Sequence, residues 1–541
     1  MRIFITSAFI LLIAAFNNTY SYAWTGEIIS SYNLPGKFPT GLTYDGKNIW
    51  LADRMLDQLF CIDPTNGKVI LSIKSPAYWP TGLAWDGKNL WNADVKGGIP
   101  LAENYNGKIY EINPANGTIL NVIQSPSPTP RGLAWDGKYL WCADNSKDEI
   151  IQFSAEDGTT IRSFKAPASD AQGLAFDGKY LWISDRIRNE IYMVDTTFGN
   201  VVLITDAPGP FTNALCYDGQ FLWAADYQND KLYKLKVRDE EQYRKTNERK
   251  AGINFIYQGT NYGPGKVNTL DVYIAMPADR TNQKIDNTTE FSPSCKETVT
   301  DKWGQKLAHY SFKNIVAGES ETIEEKISFS VWDVRWFIYP ENVGTLDKIP
   351  EDIRKKYIEN NEKYHLDHAV IKEAVTKATD TEKNPFWIAR KLFNYLIAHM
   401  KYEMTGGWNT APAVLERETG SCSEYSFVYI SLCRAAGIPA RYVGSLAMRG
   451  DAAAMDDVYH RWVEIYLPSY GWVPVDPSGG DNECPREQGD AFGSLENRFL
   501  ITTEGGGASE YLLWNYNSQD FYTSEPKTFY VSETFADWEP K

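Results

Sequence analysis

Hydrophobic and polar residues repeat along the first half of the chain in one pattern. The segment GLAWDGKYLWCAD, which begins at Gly132, places two short apolar runs around an Asp-Gly pair, as a β-hairpin does. Copies are spaced by 41 residues, except for 50 across the second interval, where an insertion lies near Val95 to Asn106. Repeats of this length made of short strands predict a β-propeller. The other four copies begin at Gly41, Gly82, Gly173 and Ala214.

The two ends of the repeat array are out of phase with the motif. The segment from Trp24 to Pro35 has the pattern of the last strand of a blade, whereas the last repeat ends near Val237, before its fourth strand. Pairing of these two ends would complete the final blade and remove an exposed sheet edge. We therefore predict a propeller of five blades over residues 24–238.

An aspartate ends each copy of the motif, and two interpretations of it differ in function. The five carboxylates could surround a central channel and bind a cation, or they could cap strand ends and hold turns. We favour the structural interpretation, because aspartate commonly accepts backbone hydrogen bonds in turns. These residues are Asp53, Asp94, Asp144, Asp185 and Asp226.

The second half of the chain predicts further domains. Residues 239–252 are dense in charge and predict a linker, and residues 253–349 alternate apolar and polar positions as a β-sandwich-like domain does. A polar helical connector over 350–381 leads to an α+β core over 382–541. The predicted fold class is multidomain: an all-β five-bladed propeller, then a β-sandwich-like domain, then an α+β core.

Cys422 stands at the start of a predicted helix. Ser421 and Glu424 have the spacing of a capping box, apolar residues then recur at helical spacing, and Gly437 ends the helix. In a first helical turn, free backbone N–H groups and the helix dipole lower the pKa of a thiol, which favours a nucleophile. The alternative is that Cys422 is a small buried apolar residue.

His460 and Asp476 are the candidate partners of that thiol. The runs from Val458 to Leu467 and from Trp472 to Val475 predict two strands joined by a turn. Such a hairpin would bring His460 and Asp476 close together, diagonally rather than directly opposite. A catalytic thiol needs a base, and the base needs an acceptor that orients it. The alternatives are a surface histidine on a strand and an aspartate that ends a strand before proline.

The segment around these residues resembles the transglutaminase-like superfamily, whose core has a papain-like arrangement. The resemblance spans roughly 382–525. It implies that Cys422 is the nucleophile, His460 the general base and acid, and Asp476 the residue that orients His460. It also implies an oxyanion hole made of the cysteine backbone N–H and an upstream side chain, for which Tyr402 and Trp408 are candidates. The matching residues are Leu415, Gly420, Cys422, Gly437 to Val443, His460, Trp462, Glu464, Trp472, Asp476 and Pro477.

The sequence predicts an enzyme and leaves its reaction open. A thiol enzyme of this kind would act on amide bonds through a thioester, as a peptidase, an amidase or a protein-glutamine acyl transferase. The alternative is a non-catalytic binding or scaffold protein that uses the propeller, and the complete Cys-His-Asp set speaks against it. Removal of glycans by a related thiol fold ranks last, since no residue marks a glycan site. No cofactor or metal is expected, because the cysteines lack the spacing of metal ligands.

The first residues of the chain predict export. Arg2 precedes an apolar stretch from Ile3 to Phe16, and small residues lead to Ala23, which is typical of a signal peptide over 1–23. The mature protein would be periplasmic or extracellular, without a membrane span. A net charge of −16 argues against nucleic acid as a partner. The expected partners are a protein or peptide substrate and a protein or carbohydrate ligand for the propeller.

Overall fold

The computed structural model describes residues 24–95, 107–238, 241–286, 289–404, 407–450 and 454–540. The predicted signal peptide, and all but the first residue of the predicted insertion near Val95 to Asn106, lie outside these residues. No helix in the described ranges is long and apolar enough to cross a membrane.

The repeat array forms five four-stranded antiparallel sheets, which confirms the predicted five-bladed propeller. Four blades each take four consecutive strands, and the fifth is completed by the first strand of the array. The strands are β1 Ile28–Asn33, β2 Pro39–Tyr44, β3 Ile49–Asp53, β4 Gln58–Ile62, β5 Val69–Lys74, β6 Pro80–Trp85, β7 Leu90–Asp94, β8 Lys108–Ile112, β9 Ile119–Gln124, β10 Pro130–Trp135, β11 Leu140–Asp144, β12 Glu149–Phe153, β13 Thr160–Lys165, β14 Ala171–Phe176, β15 Tyr180–Asp185, β16 Glu190–Asp195, β17 Val201–Asp206, β18 Thr212–Tyr217, β19 Leu222–Asp226 and β20 Lys231–Leu235.

Strand pairing closes the ring as the phase of the repeats predicts. Strand β1 lies antiparallel to β20, with Ser31 opposite Tyr233, so the N-terminal strand is the outer strand of the last blade. The innermost strands β2, β6, β10, β14 and β18 contact one another in cyclic order. A Cβ built on Gly82 would lie 2.3 Å from the carbonyl oxygen of Arg131 on the next blade. The motif glycine therefore permits the close approach of neighbouring innermost strands.

The repeated aspartates that end the motif hold turns. Asp53 accepts hydrogen bonds from the backbone N–H groups of Phe38 and Leu56, at 2.8 and 2.9 Å. Asp226 accepts the equivalent bonds from Phe211 and Asn229, at 2.6 and 2.8 Å. Each carboxylate thus ties the loop before an innermost strand to the turn after the following strand, in agreement with the structural interpretation.

Two further regions of the chain, a β-sandwich-like region and an α+β core, follow the propeller. Strands of the middle region are β21 Tyr243–Gly263, β22 Val267–Ala275, β23 Gln283–Ile285, β24 Glu290–Ser292, β25 Glu297–Thr300, β26 Lys306–Ile315 and β27 Ser320–Trp336. The remaining elements are two 3₁₀ turns, Pro340–Asn342 and Leu346–Lys348, then α1 Glu351–Tyr357, α2 Ala369–Thr379, α3 Pro385–His399, β28 Lys401–Tyr402, α4 Ala411–Arg417, β29 Thr419–Gly420, α5 Cys422–Ala435, β30 Ala440–Ala447, β31 Ala454–Asp456, β32 His460–Leu467, β33 Gly471–Val475, α6 Pro485–Asp490, β34 Ser494–Leu495, β35 Phe499–Gly505, β36 Ser518–Ser524 and β37 Phe529–Pro540.

The middle region is two packed sheets, with two differences from the predicted boundaries. One sheet has the order β23-β27-β21-β37-β31, and the other has the order β25-β26-β22-β36. The predicted linker over 239–252 is strand from Tyr243 onward, because its backbone pairs with β27 even though its side chains are charged. Strands β36 and β37 complete the two sheets, although the sequence assigned them to the core over 382–541. An alternating pattern identifies a strand but not the sheet that it joins.

The α+β core supports the candidate site. Its sheet has the order β33-β32-β30-β35, and α5 packs on β32 and β30. Asn384 caps α3 by accepting from the N–H of Phe386 at 2.9 Å, and Pro385 occupies the first helical position. The predicted helical connector over 350–381 contains α1 and α2. One continuous hydrophobic cluster joins this core to the propeller, from Trp182 of β15 to Leu392 of α3.

Candidate active site

Cys422 is the first residue of α5, a half-buried position at the end of the helix that faces a cavity. The buried Glu424 fixes this end of the helix: its carboxylate accepts hydrogen bonds from the N–H of Ser421 at 3.2 Å and from Arg417 at 2.7 Å. The same carboxylate accepts from the backbone and side chain of Asn409. The loop before the helix and the helix itself are therefore held together by one carboxylate, which positions the thiol.

The hairpin of β32 and β33 brings His460 and Asp476 together. Val463 pairs with Val475, so Asp476 follows the end of β33 and lies diagonally from His460, as the sequence predicts. The Nε2 of His460 is 2.7 Å from Oδ2 of Asp476. The other carboxylate oxygen of Asp476 accepts from Ser478 and from the N–H of Gly479 at 2.9 Å. Because Nε2 is engaged by Asp476, Nδ1 is the ring atom available to Cys422, and both residues line the same cavity.

These contacts shift all three ionisation equilibria toward the charged forms. Burial disfavours the thiolate of Cys422, but the hydrogen bond and charge of His460 outweigh it and lower the pKa of the thiol. Burial also disfavours the imidazolium of His460, but the charge and hydrogen bond of Asp476 and the bond to Cys422 raise its pKa to about 10. Against the effect of burial, His460 lowers the pKa of Asp476. At neutral pH the arrangement therefore favours a thiolate beside an imidazolium.

A cavity of about 530 Å³ opens on Cys422 and His460. Tyr402 and Trp408, the two candidates for the upstream oxyanion donor, both line it. Tyr402 reaches this position because β28 pairs in parallel with β29, which places Tyr402 opposite Gly420. Both side chains are partly exposed, at 41% and 38%. The structure thus gathers four of the five candidate residues around one cavity, and the fifth, Asp476, contacts this group through His460.

Sequence reasoning missed other residues of the cavity wall. Tyr516 lines the cavity and its hydroxyl donates to the backbone oxygen of Tyr459 at 3.3 Å. Burial, together with the negative charge of the Cys422 thiolate, raises the pKa of the Tyr516 phenol to about 12. The one signal in the sequence is the aromatic segment EYLLWNYN over 510–517, which predicts a closing strand and no particular neighbour. That prediction is wrong, because no strand of the described range 454–540 includes these residues. Arg449 also lines the cavity and forms an ion pair with Asp456 at 3.0 Å.

Two other residues that carry the family resemblance, Glu464 and Trp472, stabilise the hairpin. Glu464 is almost fully buried and its carboxylate binds Arg441 at 2.8 Å and Arg280 at 2.5 Å. Burial alone would raise the pKa of Glu464, but the two guanidinium charges lower it to about 2. The guanidinium of Arg441 lies over the ring of Trp472, 4.2 Å from its centroid. These motif residues therefore hold the strand that carries His460, and Arg280 ties it to the sandwich.

The other cysteines do not share the environment of Cys422. All seven are free thiols. Burial raises the pKa of Cys61 to about 11, and it also raises the pKa values of Cys142, Cys216 and Cys433. Within the described ranges, no group of three or more His, Cys, Asp or Glu side chains could hold a metal ion.

Comparison with known families agrees with the predicted resemblance. Residues 372–477 match the model of the Transglutaminase-like superfamily, which confirms the resemblance for that segment. The match contains α3, α5 and the hairpin of β32 and β33, together with Cys422, His460 and Asp476.

Curated relatives align with only part of the chain. A protein-glutamine gamma-glutamyltransferase of Pseudomonas aeruginosa is 33% identical over 85 residues, which are 15% of this chain and 13% of that protein. An uncharacterized protein of Haemophilus influenzae is 28% identical over 131 residues, 20% of this chain and 35% of its own length. An uncharacterized protein of Bacillus subtilis, YebA, is 26% identical over 144 residues, 25% of this chain and 18% of its own. The chain thus spans about a third or less of these relatives.

Three solved structures each align with part of the chain. A candidate cysteine protease from Cytophaga hutchinsonii covers 55% of this chain and all of its own, at 12% identity and a TM-score of 0.37. The glutaminyl cyclase of Myxococcus xanthus covers 40% of this chain and 97% of its own, at 12% identity and a TM-score of 0.35. Virginiamycin B lyase of Staphylococcus aureus covers 38% of this chain and 69% of its own, at 23% identity and a TM-score of 0.24.

Proposed function

Since residues 372–477 form a transglutaminase-like domain, we propose that this chain is a thiol enzyme that acts on amide bonds of proteins or peptides. The observation that carries the proposal is that Cys422 and His460 line one open cavity, and that Asp476 holds His460 through a contact of 2.7 Å. A thiolate, a base and an orienting carboxylate are the groups that acyl transfer through a thioester requires.

The reaction follows from the positions of the protons. The Cys422 thiolate attacks the amide carbon, a C–S bond forms, and the carbonyl electron pair moves to oxygen. As this intermediate collapses, the C–N bond breaks and His460 donates its proton to the leaving nitrogen. Water or a primary amine then attacks the thioester and gives a proton to His460, and the C–S bond breaks to restore the thiolate. Asp476 keeps the ring of His460 oriented throughout.

The oxyanion of the intermediate needs donors on the cavity side of Cys422. We assign one donor to the backbone N–H of Cys422, at the start of α5, where N–H groups have no helical partner. The second donor is the phenol of Tyr402 or the indole of Trp408. Tyr402→Phe and Trp408→Phe each remove one donor and keep an aromatic ring. The variant that lowers kcat by about a hundredfold, with little change in KM, identifies the donor.

The remaining domains are assigned roles that depend on this chemistry. The propeller is a binding or scaffold module that takes a protein or carbohydrate ligand, and the signal-like segment 1–23 directs the enzyme to the periplasm or the cell exterior. Both roles are consistent with an enzyme that acts on exported proteins. Cell fractionation tests the export role. The full chain, followed by labelling of Cys422, should appear outside the cytoplasm, and a chain of residues 24–541 should remain in the cytoplasm.

Mass spectrometry of the acylated protein tests the enzyme and identifies the reaction. The full chain without 1–23 is incubated with a peptide library and quenched in acid, which preserves thioesters. An adduct that equals a peptide minus ammonia indicates attack on glutamine, and an adduct that lacks a C-terminal fragment indicates a peptidase. Added primary amine that appears in the product indicates transfer rather than hydrolysis.

Matched variants separate the thiol from other cysteines. Cys422→Ser should lose the adduct, and Cys433→Ser, on the same helix but fully buried, should keep it. Absence of any adduct on the wild-type chain, with binding of ligands to the propeller intact, would favour the non-catalytic alternative.

A further inference from the structure

A second cation lies behind the candidate nucleophile. Arg461 follows His460 on β32 and is fully buried. Because side chains alternate along a strand, Arg461 points to the opposite face of the sheet from His460, toward α5. Both the backbone N–H and the charge of Arg461 lower the pKa of the Cys422 thiol. The arginine therefore lies on the face of β32 that packs against α5, the helix that begins with Cys422.

Four aromatic rings enclose the guanidinium. The Cζ of Arg461 lies 4.3 Å from the ring centroid of Tyr516, 4.7 Å from that of Tyr442, 5.2 Å from that of Trp408 and 5.3 Å from that of Phe427. Trp408 and Tyr516 also line the catalytic cavity, so the cation lies one ring behind the cavity wall. Ring faces stabilise a cation, and more strongly where water is excluded.

The guanidinium lacks the partners that two other buried arginines of this core, Arg434 and Arg441, have. Arg461 donates once, from Nη2 to the carbonyl oxygen of Trp514 at 2.5 Å, and its Nε and Nη1 have no hydrogen-bond partner. Arg434, equally buried, donates to three backbone oxygens, and Arg441 is paired with Glu464 and Glu504. No carboxylate of the described residues lies within ion-pair distance of Arg461.

A buried and unpaired charge is unfavourable unless an opposite charge lies nearby. The candidate anion is the thiolate of Cys422, because two rings that contact the guanidinium, those of Trp408 and Tyr516, line the same cavity as Cys422. Together with His460, the charge of Arg461 lowers the pKa of that thiol.

The charged groups that line the cavity of Cys422 are His460, Asp457 and Arg449, and Arg449 is paired with Asp456. Five tyrosines also face Cys422 or Arg461, and burial raises the pKa values of their phenols, so they are neutral at pH 7. The phenols are those of Tyr364, Tyr402, Tyr442, Tyr459 and Tyr516.

We propose that Arg461 is a positioning residue that acts through Cys422: its guanidinium is a fixed positive charge that keeps the sulfur a thiolate, whatever the protonation state of His460. This inference rests on the proposed function and deepens it. His460 becomes neutral when it gives its proton to the leaving nitrogen, and the thiolate must later leave the thioester. At that step Arg461 still carries its charge, which makes the sulfur a better leaving group.

The pH profile of alkylation tests the role of Arg461 without turnover. The rate of iodoacetamide reaction at Cys422, followed by mass spectrometry, is proportional to the thiolate fraction. Arg461→Met should move the midpoint upward by about one pH unit, so the rate below the midpoint falls about tenfold. Arg461→Gln has the same expectation and serves if the Met variant does not fold.

Arg390→Met is the matched control, since Arg390 is also buried, contacts two aromatic rings and has two nitrogens without partners. Its loss should leave the midpoint unchanged. In the wild type the midpoint should also stay constant as salt increases, because a buried charge is poorly screened.

An unchanged midpoint in the neutral Arg461 variant, an equal shift in Arg390→Met, or a strong salt dependence would overturn the inference. Since alkylation does not need a substrate, a chain that lacks amide chemistry yet shows the shift would refute the proposed function alone.

Discussion

Replacement of Glu464 by glutamine should destabilise the strand that carries His460. Glu464 is four residues along β32 from His460, so both side chains lie on the same face of the strand. Its carboxylate is the shared partner of Arg441 and Arg280, and Glu464→Gln removes the charge and keeps the shape. The two guanidinium groups would then face each other with Glu504 as their remaining carboxylate partner.

The size of the effect follows from the pKa of Glu464. A decrease from 4.5 to about 2 in the folded protein corresponds to about 3 kcal/mol of stability at pH 7. Because the folded pKa is the lower one, this stabilisation is complete above the unfolded pKa and is lost as the pH falls toward 2. At pH 3, between the two pKa values, about 1.5 kcal/mol of this stabilisation of the folded state remains. The removal of one partner from a buried ion pair typically lowers the free energy of unfolding by about 3 to 5 kcal/mol, which agrees with this value.

Thermal melting of the wild type and of Glu464→Gln between pH 3 and pH 8 measures this difference. The gap between the two melting temperatures should be constant above about pH 5 and narrow toward pH 3. Glu373→Gln is the control, because Glu373 forms an exposed pair with Lys377 and should change the melting temperature little at any pH. A gap that does not depend on pH would mean that the loss comes from packing rather than from charge, and the reasoning would fail.

Three further predictions concern the base His460, the closed ring of propeller blades and the thiol of Cys422. Asp476→Asn should lower the pKa of His460 from about 10 and reduce turnover by up to about 10⁴, measured as kcat against pH; full activity at neutral pH would point to another orienting group. Gly82→Ala should lower the melting temperature through contact with the next blade, whereas Ala214→Gly, the same position of the fifth repeat, should change it by an equivalent of about 1 kcal/mol or less; equal effects would contradict the close approach of strands. Iodoacetamide at neutral pH should label Cys422 first in peptide mapping, and equal labelling of the buried thiols would refute its activation; these are Cys61, Cys142 and Cys433.

Much of the propeller and of the site could be predicted because the information is local. The Asp-Gly repeat fixes the phase of every blade, and that phase alone places β1 beside β20. The helix start at Cys422 and the hairpin of His460 and Asp476 each depend on fewer than about twenty consecutive residues, within which periodicity and turn chemistry are informative.

The rest depends on contacts between distant parts of the chain. Arg280, which neutralises Glu464, comes from the sandwich, and Tyr516 reaches the wall of the cavity from the far C-terminal side. Alternation predicts that Arg461 faces away from His460, but the rings that enclose it come from several separate elements. The sequence places β36 and β37 in the core over 382–541, whereas the structure places them in the two sheets of the sandwich. The sequence cannot show this, because tertiary packing determines which sheet edge a strand joins.

The strand that closes the propeller also imposes an order on folding. Tyr32 of β1 pairs with Leu232 of β20, although β1 is the first strand of the array to be synthesised and β20 is the last. The first strand must therefore remain without its partner until the last blade is complete, and it exposes an unpaired edge during that time. Just before β1, the side chain of Thr25 forms a hydrogen bond of 2.6 Å with the hydroxyl of Tyr339, in the segment that leads to the α+β core. Ring closure and docking of the core thus share one short segment, so late steps of folding in the two domains should occur together.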